Sequence, residues 1–218
     1  DWRYDVRVSD DGQFAVFTIS HPQDGHTRLY FIDLDDPGSP ALNAPAVKLV
    51  DEFDARYAFI DNGGNSFFLQ TDRAAPRGRI VLANTDVTRE SLWPQVLAEQ
   101  TDTLQFARTA GEEYVVAVYR DAGRSVARIY GFPDQNKVRA EMRRRAGVDQ
   151  NGRPRERRPE DDTARGDMHR AGMLAWQLER KREIPIPLGS SIVDMRSVAN
   201  DDVLFYTVQT EDGSLSAY

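Results

Sequence analysis

The sequence predicts an all-β fold: a partial β-propeller of about four four-stranded antiparallel blades, the last incomplete, with a charged insert in the third. Three observations predict it. A turn of Asp, Asn and Gly followed by a β-rich run occurs four times. The occurrences are spaced by about one blade length, as in propeller arrays. Each repeat also contains further short strands separated by polar turns.

The four turns are Ser9-Asp10-Asp11-Gly12 before Phe14–Ile19, Asp61-Asn62-Gly63-Gly64 before Phe67–Gln70, Ala110-Gly111-Glu112 before Tyr114–Tyr119, and Asn200-Asp201-Asp202 before Val203–Val208. Asx side chains close such turns, and Gly accepts positive φ at little cost. The aromatic and β-branched residues that follow suit a pleated, half-buried surface. Gly12 and Gly64 are 52 residues apart, and Gly64 and Gly111 are 47 apart. Gly111 and Asp202 are 91 apart, one period plus an insertion. Regular hairpins could also build a β-sandwich, but four strands at each repeat near this spacing favour blades.

A first strand precedes each turn, at Tyr4–Val8, Tyr57–Ile60, Thr103–Ala107 and Ile192–Val198. A third follows at Leu29–Leu34, Arg79–Ala83, Val126–Tyr130 and Leu215–Tyr218. A fourth, more charged strand closes the first three units, at Val47–Val50, Gln95–Ala98 and Gln177–Ile186, as an outer edge should to resist unwanted pairing. The units therefore run over about 1–53, 54–100, 101–188 and 189–218.

At 218 residues, 40% hydrophobic and 29% charged, the chain has the composition of one large globular domain. No stretch approaches the ~20 apolar residues of a spanning helix, so no membrane partner is expected. With no Cys, disulfides, thiolate metal sites and a cysteine nucleophile are excluded. The chain starts on Asp1 and ends within a strand pattern, as if cut from a longer polypeptide.

The net charge of -7 is uneven. Residues 137–170 hold eleven Lys and Arg against seven Asp and Glu, a basic insert in an acidic body. The insert covers 132–172, with a basic helix expected at Lys137–Ala146, stopped by Gly147, and an irregular Asn151–Gly166. Acids mixed among the bases and few aromatics argue against nucleic-acid binding and for a solvated excursion, with a gating or contact role as the alternative.

Catalytic constellations are thin. Of the histidines, His21 and His26 flank Pro22-Gln23-Asp24-Gly25, a hairpin tip, and His169 lies in the insert. Two loop histidines beside Asp24 form at most a weak metal site, and solvated side chains are the simpler reading. No Gly-x-Ser-x-Gly elbow and no phosphate-binding Gly loop occur, so neither catalysis by this chain alone nor a cofactor is expected.

Several stretches together resemble the propeller of the prolyl oligopeptidases. They are Val8-Ser9-Asp10-Asp11-Gly12-Gln13-Phe14, Thr27-Arg28-Leu29-Tyr30, Val47-Lys48-Leu49-Val50-Asp51, and Thr71-Asp72-Arg73-Ala74-Ala75-Pro76-Arg77-Gly78-Arg79. Arg182-Glu183-Ile184-Pro185-Ile186-Pro187 and Asp202-Val203-Leu204-Phe205-Tyr206 fit the later strands. The resemblance implies a serine peptidase cutting short peptides after proline, in which a seven-bladed propeller covers an α/β-hydrolase domain. The catalytic triad would lie outside this chain. The propeller positions that reach the family's substrate pocket match Arg3 and Gln23, where well-known members carry softer, less polar residues. Expected partners are peptide substrate and the hydrolase domain of the parent chain, plus self-association through open sheet edges. The rival reading is a non-enzymatic propeller scaffold that uses the basic insert as its contact.

Overall fold

The computed structural model describes residues 1–111, 113–121, 124–133, 177–184, 186–197 and 203–218. Four antiparallel sheets follow one another along the chain. The first contains β1 (Arg3–Val8), β2 (Phe14–Ser20), β3 (Thr27–Asp33) and β4 (Val47–Val50). The second contains β5 (Tyr57–Gly63), β6 (Ser66–Thr71), β7 (Arg79–Asn84) and β8 (Gln95–Leu97), with a 3-10 turn at Glu90–Leu92. The third contains β9 (Thr103–Ala110), β10 (Tyr114–Asp121), β11 (Arg124–Gly131) and β12 (Glu179–Ile184). The last contains only β13 (Ser190–Ser197), β14 (Leu204–Thr210) and β15 (Leu215–Ala217). Every sheet is a meander with its strands in sequence order. The expected blades, including the incomplete last one, are present.

The hydrophobic pattern explains how the blades stack. On β6, Phe67 and Leu69 join the core shared with the first blade, while Phe68 joins the core shared with the third. On β10, Val115, Ala117 and Tyr119 pack toward the second blade, and Val116 and Val118 toward the last. Successive strand residues point to opposite faces, so a sheet covered on both sides reads as an unbroken apolar run. The end sheets differ. Tyr4, Val6 and Val8 are 71%, 53% and 55% exposed on the outward face of the first sheet. Phe205 and Leu215 are 55% and 64% exposed in the last sheet.

Polar clips repeat at each seam. Thr27 Oγ1 donates to the Tyr57 carbonyl at 2.8 Å and accepts from the Tyr57 N–H at 2.6 Å. Gln70 Nε2 donates to the Leu104 and Gln105 carbonyls, both at 3.2 Å. Ser125 Oγ accepts the Ile192 N–H at 3.3 Å. The first strands of successive blades also meet, β5 with β9 and β9 with β13, which marks the inner side of the stack.

Strand boundaries depart from the sequence reading in an informative way. The second turn begins later than expected, because Asp61, Asn62 and Gly63 belong to β5. A bulge between Phe59 and Asp61 reverses the facing of the strand. Phe59 packs on the first blade's side and Ile60 on the third's, as ordinary alternation requires, and the bulge changes the facing from Asp61 onward. Asp61 is buried, accepting from Thr109 Oγ1 at 2.8 Å and from the Asp10 N–H at 3.3 Å. Burial raises its carboxyl pKa above the ordinary value. In the third blade Ala110 likewise ends β9 and does not open the turn.

The described residues include the first two positions of the expected insert, 132 and 133. Phe132 still packs on Phe68, ring centroids 5.2 Å apart, and its N–H donates to the Glu113 carbonyl at 2.9 Å. Leu178 is back in the core, its N–H donating to Val96 O at 2.8 Å. The expected helix at Lys137–Ala146 and the irregular stretch at Asn151–Gly166 lie outside the described residues. The outer strand β12 is as charged as expected, with Glu179 to Glu183 all exposed.

Candidate functional site: the hairpin rim of the first blade

Arg3 opens β1 and pairs across the sheet with Ser20, the last residue of β2. The hairpin carrying Gln23 begins at the next residue, so the fold brings both predicted positions to the same end of the first blade. Both are exposed.

The hairpin has a defined shape. The His21 N–H donates to the His26 carbonyl at 2.7 Å, and Gly25 takes φ +73°, a conformation that a side chain would strain. Asp24 organises the tip. Its carboxylate accepts the His26 N–H at 2.9 Å and lies 3.0 Å from His21 Nδ1. The His26 N–H, together with the two imidazoles, holds the Asp24 carboxyl below the usual range. His26 Nδ1 is also 3.0 Å from the Phe53 carbonyl, which ties the tip to the linker leaving the first blade.

Among the described residues no group of three or more His, Cys, Asp or Glu is placed to hold a metal ion.

The sequence reading did not anticipate the rings beside the hairpin. Trp2 lies edge-on to His21, centroids 5.4 Å apart, and tilted against Phe53 at 4.9 Å. His21 and Phe53 are themselves 5.4 Å apart, which closes a triangle of rings. The Arg28 guanidinium sits 4.2 Å from the Phe53 ring centroid. Trp2 is nevertheless 46% exposed. A Trp and a Phe on either side of a His-bearing hairpin were the available signal, but 32 residues separate His21 from Phe53 and only the fold joins them.

The second blade repeats the device. Its hairpin at 72–78 joins β6 to β7 as the 21–26 hairpin joins β2 to β3. Beside it, a cleft of about 130 Å³ opens between the second and third blades, edged by Arg56, Asp72, Pro76 and Arg77. The Thr71…Arg79 stretch noted in the sequence frames this hairpin, and Thr71 and Arg79 pair directly across β6 and β7. Arg79 and Arg73 both reach Glu90, at 3.9 and 2.7 Å, in a network that also takes in the buried Tyr57 hydroxyl.

The rim therefore presents a guanidinium, a primary amide, an exposed indole and a carboxylate between two imidazoles. Such groups can donate and accept hydrogen bonds and offer a ring face to a ligand.

Comparison with known proteins identifies the family of the fold. Prolyl oligopeptidase A of Galerina marginata is 25% identical over 120 residues, 55% of this chain and 16% of that protein. The prolyl endopeptidase of Elizabethkingia meningoseptica is 25% identical over 115 residues, 53% of this chain and 15% of that one. The chain thus spans a small part of the length of these relatives. Among solved structures, apo prolyl oligopeptidase B from Galerina marginata superposes with a TM-score of 0.66 at 16% identity, over 100% of this chain and 24% of that one. A chain from an analysis of two prolyl endopeptidases gives 0.66 at 15%, over 99% and 24%. The family model described as the N-terminal β-propeller domain of prolyl oligopeptidase matches residues 1–210, and the chain belongs to that family.

Proposed function

We propose that this propeller serves a serine peptidase that cuts short peptides after proline, with the catalytic α/β-hydrolase domain elsewhere in the parent protein. The propeller admits short flexible peptides to that domain and excludes folded proteins. Arg3 and Gln23 contact the peptide beyond its proline. The observation that carries this reading is the family match over residues 1–210. It is supported by the position of Arg3 opposite Ser20, at the end of the blade where the Gln23 hairpin starts.

The test compares the parent protein with this chain on a proline-containing fluorogenic peptide. The parent should cleave the peptide, and this chain alone should not. Cleavage by the chain alone overturns the reading. In the parent, Arg3→Met and Gln23→Ala should change kcat/KM by about three- to thirtyfold for peptides differing in charge upstream of the proline, the span of one or two polar contacts. Equal effects on all peptides would remove both residues from the pocket. The same reading gives the outward faces of the first and last sheets a covering of further blades in the parent. The isolated chain should then self-associate through them, and a monomer on size exclusion would count against that.

A further inference from the structure

We infer that Arg7 and Arg108, brought near one another at the inner side of the stack, form a binding site for a small oxyanion, a carboxylate or a phosphate.

Both arginines stand on first strands, Arg7 on β1 and Arg108 on β9, with the second blade and its first strand β5 between them. Arg7 reaches over to β5. Its Nη1 donates to the Phe59 carbonyl at 2.7 Å, and its guanidinium lies 5.7 Å from the centroid of the Phe59 ring. Arg108 Nη1 donates to the Ala107 carbonyl at 2.9 Å, and its guanidinium lies 5.8 Å from the centroid of the Phe106 ring. A guanidinium carries five N–H donors, so each of these spends one on backbone and keeps most of its fork free.

Their charges set them apart. Of the half-buried arginines among the described residues, Arg28 lies 3.9 Å from Asp51, Arg79 lies 3.9 Å from Glu90 and Arg128 lies 3.4 Å from Glu183. Arg7 and Arg108 are also half-buried, yet among the described residues neither has a carboxylate at ion-pair distance. Burial, and after it the like charge of Arg7, holds the Arg108 guanidinium below its ordinary pKa. Asp194 and Asp10 act in the opposite sense from farther off, and the Asp194 carboxylate already accepts from Arg196 Nε at 3.1 Å. A partly desolvated cation facing a second cation costs the fold stability, and a bound anion removes that cost. The planar fork selects the anion, because carboxylate and phosphate accept two parallel N–H bonds and chloride does not.

The experiment titrates the parent protein with sodium acetate and, separately, with sodium phosphate by calorimetry, at an ionic strength held constant with chloride. At least one of the two should bind at one site per chain, and the one that binds more tightly identifies the ligand as carboxylate or phosphate. Arg108→Gln and Arg7→Gln should each weaken binding about ten- to a hundredfold, the span of a hydrogen bond to a charged group. Arg108→Lys keeps the charge but loses the fork, so its affinity should fall between wild type and Arg108→Gln. Binding of neither anion, or binding that survives both Gln substitutions, overturns the site. Urea unfolding detects a merely structural role. In chloride alone Arg108→Gln should be at least as stable as wild type, because it removes an unpaired charge, and wild type should gain on it once the anion is added. A loss of stability in Arg108→Gln that is the same with and without the anion overturns the proposal.

Discussion

Replacing Phe67 by Ala tests whether the seams between blades carry the stability of the stack. Phe67 is 0% exposed and lies edge-on to three other Phe rings: Phe14 at 4.9 Å, Phe31 at 5.2 Å and Phe59 at 5.2 Å. Phe14 and Phe31 come from the first blade and Phe59 from the second, so the ring spans the seam. Truncating a buried Phe to Ala costs about 3–5 kcal/mol through lost transfer energy and the cavity left behind. Three edge-to-face pairs are lost together, which puts Phe67 at the upper end, about 4–5 kcal/mol. At about 2–4 °C per kcal/mol for a domain of this size, Tm should fall by roughly 8–20 °C. Phe67→Leu keeps most of the volume and loses only the ring contacts, so it should cost about 1–2 kcal/mol. Urea and thermal unfolding of both variants measure these differences. A cost under about 1 kcal/mol for Phe67→Ala, or equal costs for the two variants, would refute the seam as the source of stability.

Two further outcomes follow from the polar clips. Thr27→Val leaves the buried N–H and C=O of Tyr57 without their partner, and should cost about 2–3 kcal/mol in urea unfolding despite conserved shape. An effect within ±0.5 kcal/mol would mean that the clip is replaced by other contacts. Asp61 concerns pH. Burial raises its pKa in the folded protein, so its protonated form is the one the fold favours. Its contribution is fully present below the unfolded pKa and is lost as pH rises through the raised folded value. The stability of wild type relative to Asp61→Asn should therefore decline from acidic to neutral pH. A difference that stays flat or grows with pH would contradict the burial of this carboxyl.

Much of this architecture was legible in the sequence because propeller blades are local objects. Each β-meander pairs strands that are near neighbours in the chain, so the Asx-Gly turns and the runs after them locate the blades without long-range information. The charged Glu179–Glu183 strand declared itself an outer edge for the same reason. The positions of Arg3 and Gln23 followed from family resemblance, and their nearness follows from β1 pairing with β2.

What the local pattern could not contain was any relation between blades. Asp61-Asn62-Gly63 reads as a turn by composition, yet a bulge at Ile60 keeps it in β5 and sends Asp61 into the seam against Thr109, 48 residues away. Facing in a strand alternates every residue, and one extra residue reverses it, which only the packed neighbour can reveal. The triangle of Trp2, His21 and Phe53 is likewise a product of tertiary structure. Sequence by itself determined the blades, their order and the hairpin. Packing decided which faces meet and which rings share a rim, because those contacts join residues that no local turn or strand rule connects.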